Sequence, residues 1–333
     1  MKDPFILHIE QMKKIVPLLS FDEKKPLSEQ KERILEKFTQ LIKIPPKETN
    51  PLPIIEYEDT SNEDFDEIRF CFESEKDFFV PAHMLIPKKR SEKMPVVICL
   101  QGHSPGMHVS LGREAYPGKN KIAVAGDRDF CLQAVKRGYV AIALEQRGFG
   151  ELNFSEKPNF CHELSCQALL MGRTLIGERV RDVMALIDAM EEFTFIDMSR
   201  IGIMGNSGGG TTSYFAACVD ERSKVSMPSS SFCTFVDAWG SLYHCSCGYV
   251  PKMLEYMEMP DMAMMIAPRH LVVVNGIYDH IQPFSAAEKA YEKVKSIYSA
   301  SGAPDNCSMV VGDEGHRFYA DKAWGIFDEH ING

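Results

Sequence analysis

Three side chains that lie far apart along the chain can together perform one kind of chemistry. Ser207 sits in Gly205-Asn-Ser-Gly-Gly209, Asp279 ends Gly276-Ile-Tyr-Asp279, and His316 lies in Gly315-His-Arg-Phe-Tyr319. A serine hydroxyl is a weak nucleophile at neutral pH unless a histidine accepts its proton, and the histidine needs a carboxylate to fix its tautomer and orientation. A serine held on a tight turn between a strand and a helix is exposed at the sheet edge, and the flanking glycines remove side chains that would collide there. The apolar run Ile201 to Met204 before the motif and the small residues after it supply that strand and that helix. Two rivals are weaker: Asp313 shares one short loop with His316, and His280 adjoins the expected acid, where a base role would leave His316 idle.

These residues need a scaffold, and the hydrophobic pattern predicts one. Val96 to Leu100, Tyr139 to Leu144 and Leu271 to Val274 are short runs that are apolar throughout, as expected of strands covered on both faces. Further strand-like runs cover 68–72, 78–86, 224–230 and 308–312. Helical spacing appears over 127–137, 173–193 and 284–299, and a last helix follows Tyr319. Strands alternating with helices imply a mostly parallel sheet covered by helices on both faces. Residues 1–60 read as a helical extension, with Ser28 capping a helix striped by Ile34, Leu35, Phe38, Leu41 and Ile42 and stopped by Pro45-Pro46. The catalytic unit is expected over 61–333.

Composition narrows the partners. A net charge of −10 and the absence of a basic cluster exclude a nucleic-acid groove, and no apolar stretch reaches membrane-spanning length. The first ten residues lack the apolar stretch and cleavage site of a secretory signal, so a cytoplasmic protein with reduced thiols is expected. The striped helix in 1–60 leaves room for a contact between copies. Cys245-Ser-Cys247, taken with His244 and Cys233, or with Cys161-His162, contains zinc-ligand types, but the tight spacing lacks a second clear pair. No metal or cofactor is expected. The Cys-, Met- and aromatic-rich segment 232–265 is expected to pack over the site, its methionines filling space.

Over roughly residues 67–333 the three motifs and their order, nucleophile, acid, histidine, resemble the α/β-hydrolase superfamily, and most closely its branch of acetyl xylan esterases and dienelactone hydrolases. The resemblance implies an α/β-hydrolase fold with insertions over the site. It also implies hydrolysis of a carboxylic ester, short-chain and acetyl above all, on a carbohydrate or small molecule through an acyl-serine. It departs from dienelactone hydrolases, which use cysteine where this chain has Ser207, and from many carbohydrate acetyl esterases, which carry Gln where this chain has Gly208. An oxyanion hole is expected from the amides of Gly208 and His103, with Gln101 standing where the family has histidine. Gly102, Asn206, Arg147 and His244 are expected around the substrate, while Glu145 and Arg147 also fit a loop-bracing ion pair. Two alternatives share this sequence pattern: a serine peptidase of the prolyl oligopeptidase type, and a non-catalytic binding protein on a hydrolase scaffold.

Overall fold

The computed structural model describes residues 3–333. Two N-terminal helices, α1 (Pro4–Met12) and α2 (Leu27–Ile42), precede three strands, β1 (Ile54–Asp59), β2 (Phe65–Glu75) and β3 (Phe78–Pro87). Strands and helices then alternate: β4 (Met94–Leu100), α3 (Phe130–Lys136), β5 (Val140–Leu144), α4 (Cys161–Leu170), α5 (Leu175–Met190), β6 (Ile196–Asn206), α6 (Gly208–Val219) and β7 (Ser223–Ser229). Two single-turn helices, α7 (Met253–Tyr256) and α8 (Ala263–Ile266), lead to β8 (His270–Gly276), α9 (Phe284–Ala300), β9 (Cys307–Gly312) and α10 (Ala320–Asn332).

The nine strands form one sheet in the order β1-β2-β3-β5-β4-β6-β7-β8-β9. The first three strands run antiparallel to their neighbours, and β4 through β9 are mutually parallel, so their carboxyl ends share one edge. Strand periodicity sorts the core into two layers. On β4, Val96, Ile98 and Leu100 face a layer that includes Val180 of α5, Phe215 of α6 and Val294 of α9, whereas Val97 and Cys99 face Phe130 of α3 and Trp324 of α10. All seven β4 residues are buried, as their unbroken hydrophobicity requires.

The N-terminal segment is more integrated than its sequence pattern implies. β1 joins the sheet edge against β2, with Ile54 opposite Cys71, so the sheet begins before residue 60. Ile34, Phe38 and Ile42 of α2 are fully buried in the main core, and Phe38 meets Phe215 edge-on at 5.4 Å. Ser28 does not cap α2: Pro26 holds the cap position without a side-chain bond, and the helix ends where Lys43 turns left-handed, two residues before the prolines. α1, capped by the Asp3 carboxylate, and α4, in a stretch expected to be irregular, are helices that sequence periodicity does not mark. The methionines of 253–265 lie in the main core, in keeping with space-filling.

If α2 is part of the core, Phe38→Ala lowers unfolding free energy by about 3–5 kcal/mol, the range for emptying a buried phenylalanine site. Urea denaturation measures this directly; a change below 1 kcal/mol would mean that α2 is a detachable appendage.

Candidate active site

The turn at Ser207 is the most constrained backbone in the site. Ser207 has φ 56° and ψ −124°, a conformation that side-chain-bearing residues rarely adopt and that costs of order 1–3 kcal/mol. The surrounding crossing tolerates no side chain: a Cβ on Gly205 would lie 2.4 Å from the Gly209 carbonyl carbon, and one on Gly209 would lie 2.1 Å from Leu100 O. β4 and β6 are direct neighbours, with Leu100 opposite Gly205, so the loop leaving β4 is pressed against the serine turn. Gly102 belongs to the same contact, since a Cβ there would lie 2.9 Å from Ser207 Cβ.

α6 begins immediately after the serine, and its first amides have no helical acceptor and lie at the positive end of the helix dipole. Among the described residues, neither the Gly208 nor the His103 N–H donates to a backbone acceptor. Both amides are free for another partner, and both residues line the cavity that contains Ser207.

His316 follows β9 and Asp279 follows β8, which pair in parallel with Gly276 opposite Gly312. The imidazole Nδ1 lies 2.8 Å from Asp279 Oδ2. The other carboxylate oxygen accepts the amides of Ile281 at 2.8 Å and Gln282 at 3.0 Å. Burial would push this carboxyl up, but the His316 contact and the two amides outweigh it and hold the pKa below the ordinary aspartate value. Ser207 and His316 face the same cavity of about 620 Å³. Among the described residues, Ser207 Oγ makes no hydrogen bond to His316; such contacts commonly close only with substrate in place. The rivals stand apart: Asp313 is exposed beside Lys322, and His280 is exposed with its ring 6.3 Å from that of His316.

Gly102, Asn206 and His244 line the cavity. Arg147 does not. Asp182 grips it through Nε and Nη2 at 2.8 Å each, and Glu75 lies 2.7 Å away, so the guanidinium braces β2 and α5. Nor does Arg147 pair with Glu145, which accepts the amides of Met107 and Glu151 and whose pKa burial raises to about 8. The long segments 103–126, 147–170 and 232–262 all reach the cavity, through Ala125, Asn159 and Trp239 among others. Arg128, Tyr243 and Gln282 also line it, and no motif or periodicity marks them in the sequence.

The side chain of His103 has turned to a different group of residues. Its ring and the thiols of Cys161, Cys245 and Cys247 offer ligand atoms that all lie within 4.8 Å of one another, the His103 Nε2 to Cys247 Sγ distance being 3.3 Å. Bonds from Cys245 and Cys247 push the Cys161 thiol far down, and the Arg179 guanidinium, 3.2 Å from Cys161 Sγ, acts in the same direction. Of the groupings suggested by the sequence, Cys161 does join Cys245 and Cys247, but the other members stand apart: His244 stacks on Trp239 at 4.6 Å, the Cys233 thiol points to Pro283 O, and His162 lies beside Cys166.

Comparison with known proteins agrees with this architecture. The Abhydrolase family model matches residues 6–215, and the prolyl oligopeptidase family model matches residues 171–329. YtaP of Bacillus subtilis, described as a hydrolase, is 25% identical over 246 residues, covering 71% of this chain and 77% of that protein. A Bacteroides fragilis structure described as an acetyl xylan esterase superposes with a TM-score of 0.79 at 16% identity, covering 93% of this chain and 82% of that one. Acetyl Xylan Esterase 1 from Thermoanaerobacterium sp. superposes with a TM-score of 0.58 at 17% identity, covering 97% of both chains. The parallel sheet, the strained serine turn and a family match over more than half of the sequence place this chain in the Abhydrolase family, with the α/β-hydrolase fold.

Proposed function

We propose that the protein is a serine carboxylesterase acting on short-chain, chiefly acetyl, esters of carbohydrates or small molecules. The observation that carries the reading is the strained Ser207 turn opening on the same cavity as the Asp279–His316 pair. His316 takes the Ser207 proton as Oγ attacks the ester carbonyl, then delivers it to the departing alcohol. Asp279 keeps Nδ1 protonated and stabilises the imidazolium. The Gly208 and His103 amides receive the charge on the tetrahedral oxygen, supported by the α6 dipole. Water, activated by the same imidazole, releases the acid from the acyl-serine.

The match of the prolyl oligopeptidase model to residues 171–329 favours a second reading, a serine peptidase, because that stretch contains all three proposed catalytic residues. The cavity argues for the ester. No Asp or Glu lines it among the described residues, so a peptide's free amine finds no counter-charge, whereas Arg128 and the aromatic rings of Trp239 and Tyr243 suit a neutral or acidic alcohol portion.

p-Nitrophenyl esters from acetyl to octanoyl, acetylated sugars and a prolyl amide separate these readings. Acetyl and other short esters are expected to turn over fastest, and Ser207→Ala is expected to lower kcat at least 10³-fold, on the order seen when a triad nucleophile is removed. Amide cleavage outpacing ester cleavage would overturn the assignment in favour of the peptidase.

Asp279 also links stability to pH. Its folded pKa lies below the unfolded value near 3.8, so its stabilisation is complete above about pH 4–5 and disappears as pH falls through the folded value. Asp279→Asn is therefore expected to flatten the acid side of the stability–pH curve measured by chemical denaturation. It should also lower kcat on the order of 10⁴-fold, because Asn supports the wrong imidazole tautomer. An unchanged acid limb with unchanged kcat would remove Asp279 from both roles.

A further inference from the structure

The four ligand-bearing residues beside the active site come from three separate segments of the chain. His103 lies in the loop after β4, Cys161 is the first residue of α4, and Cys245 and Cys247 lie in the insertion between β7 and β8. From these the geometry points to a structural zinc site, one Zn²⁺ held by His103 Nε2 and the Sγ atoms of Cys161, Cys245 and Cys247 in the wall of the catalytic cavity.

Several independent features support one ion of this type. Tetrahedral zinc, with bonds of about 2.3 Å to sulfur and about 2.0–2.1 Å to nitrogen, puts its ligand atoms roughly 3.5–3.8 Å apart. Ligand atoms within 4.8 Å of one another, one pair already at 3.3 Å, need only small side-chain adjustments to reach that arrangement. Three thiolates and an imidazole are a soft set suited to zinc rather than to magnesium or calcium, and such tight grouping surrounds a single ion. Cys161 and Cys247 are buried beside Phe149 and Leu175, while Cys245 is half-buried and His103 is exposed on the cavity side.

Arg179 supplies a further argument. It is 1% exposed, and among the described residues no carboxylate pairs with it; it donates to Arg147 O and Cys161 Sγ and lies over the Phe149 ring. A buried guanidinium needs a counter-charge. Zinc bound by three thiolates and a neutral imidazole carries one net negative charge, which the guanidinium balances while bonding to a ligand sulfur, as outer-shell groups at metal sites do. Each thiol gives its proton to solvent on binding, and no oxidation state changes.

With four protein ligands the ion has no open position for substrate. Its effect is to anchor. The His103 ring lies against Gly208, where an added Cβ would be 3.0 Å from His103 Cε1. Ligation thereby fixes the loop whose amide, on the hydrolase reading above, faces the developing oxyanion, and ties it to α4 and to the insertion that roofs the cavity.

The test uses the full chain expressed in zinc-supplemented medium. Elemental analysis is expected to find about one zinc per chain, released stoichiometrically when a mercurial reagent titrates the thiols and followed with a colorimetric zinc indicator. Cobalt(II) replacement is expected to give the sulfur-to-metal charge-transfer band and intense visible absorption of a tetrahedral thiolate site. Cys161→Ser and Cys245→Ser should each lower retained zinc several-fold, while Ser207→Ala keeps the full complement, so loss of metal and loss of hydrolysis are read separately. If the cysteine variants do not fold, the mercurial titration and cobalt spectrum of the unaltered protein decide alone. Substoichiometric zinc with freely reactive thiols at 161, 245 and 247, a disulfide among them in the isolated protein, or full zinc retention in a folded Cys161→Ser/Cys247→Ser variant would each refute the site.

Discussion

The site depends on how closely two backbones approach where β6 meets α6. Leu100 O at the end of β4 occupies the space where a Gly209 side chain would be, and the Gly209 carbonyl occupies the space where a Gly205 side chain would be. That packing holds Ser207 in its costly positive-φ conformation and brings Gly102 and His103 alongside. The strain persists because β4 is buried throughout and stays in register with β6 from Val96–Ile201 to Leu100–Gly205, leaving no cheap relaxation. The serine turn, the Gly102-His103 loop beside it and a helix N-terminus are thus consequences of one crossing.

The Asp279–His316 pair is delivered by strand order. β8 and β9 are adjacent and parallel, so the loops after them emerge side by side, and the Asp279–His316 contact follows from a shared sheet edge rather than from local sequence. β7 stands between the serine strand and the acid strand, and the histidine loop must reach back across it. Ser229 and Ser230 at the end of β7 donate to Arg317 O, holding that loop over the cavity. Asp279 is tuned in the same way: burial alone would favour its neutral form, but two amides and the imidazole favour the carboxylate.

The walls of the cavity follow different rules. The extended segments between β4 and α3, β5 and α5, and β7 and β8 are held by polar anchors, joined in the last by the buried methionines of 253–265. Gln101 Nε2 bonds to Ser110 Oγ and Arg128 O, and the amides of Phe235 and Val236 bond to the Glu258 carboxylate. Arg147 illustrates the limit of reading roles from position: it leaves the carboxyl edge of β5, yet three carboxylates from β2 and α5 draw it away from the cavity. A charged side chain with several partners of opposite sign in reach is committed to them, whichever strand it follows.

The sequence by itself determined the layered sheet and the serine turn, because strand and helix periodicities and a glycine-flanked turn are local properties written in consecutive residues; Asp279 and His316 were legible as candidates from their places after the last two strands. The fate of α2 was half legible: its stripe foretold a buried face, but only packing against Phe215 showed that the face completes the main core. Tertiary structure alone decided the thiol–imidazole cluster. Cys-x-Cys lacked a second pair along the chain, and that pair comes from residues 84 and 142 positions before Cys245, at 161 and 103. Ligand sets assembled across loops have no period, and their spacing is free to vary, so proximity in space is the property that sequence order does not encode.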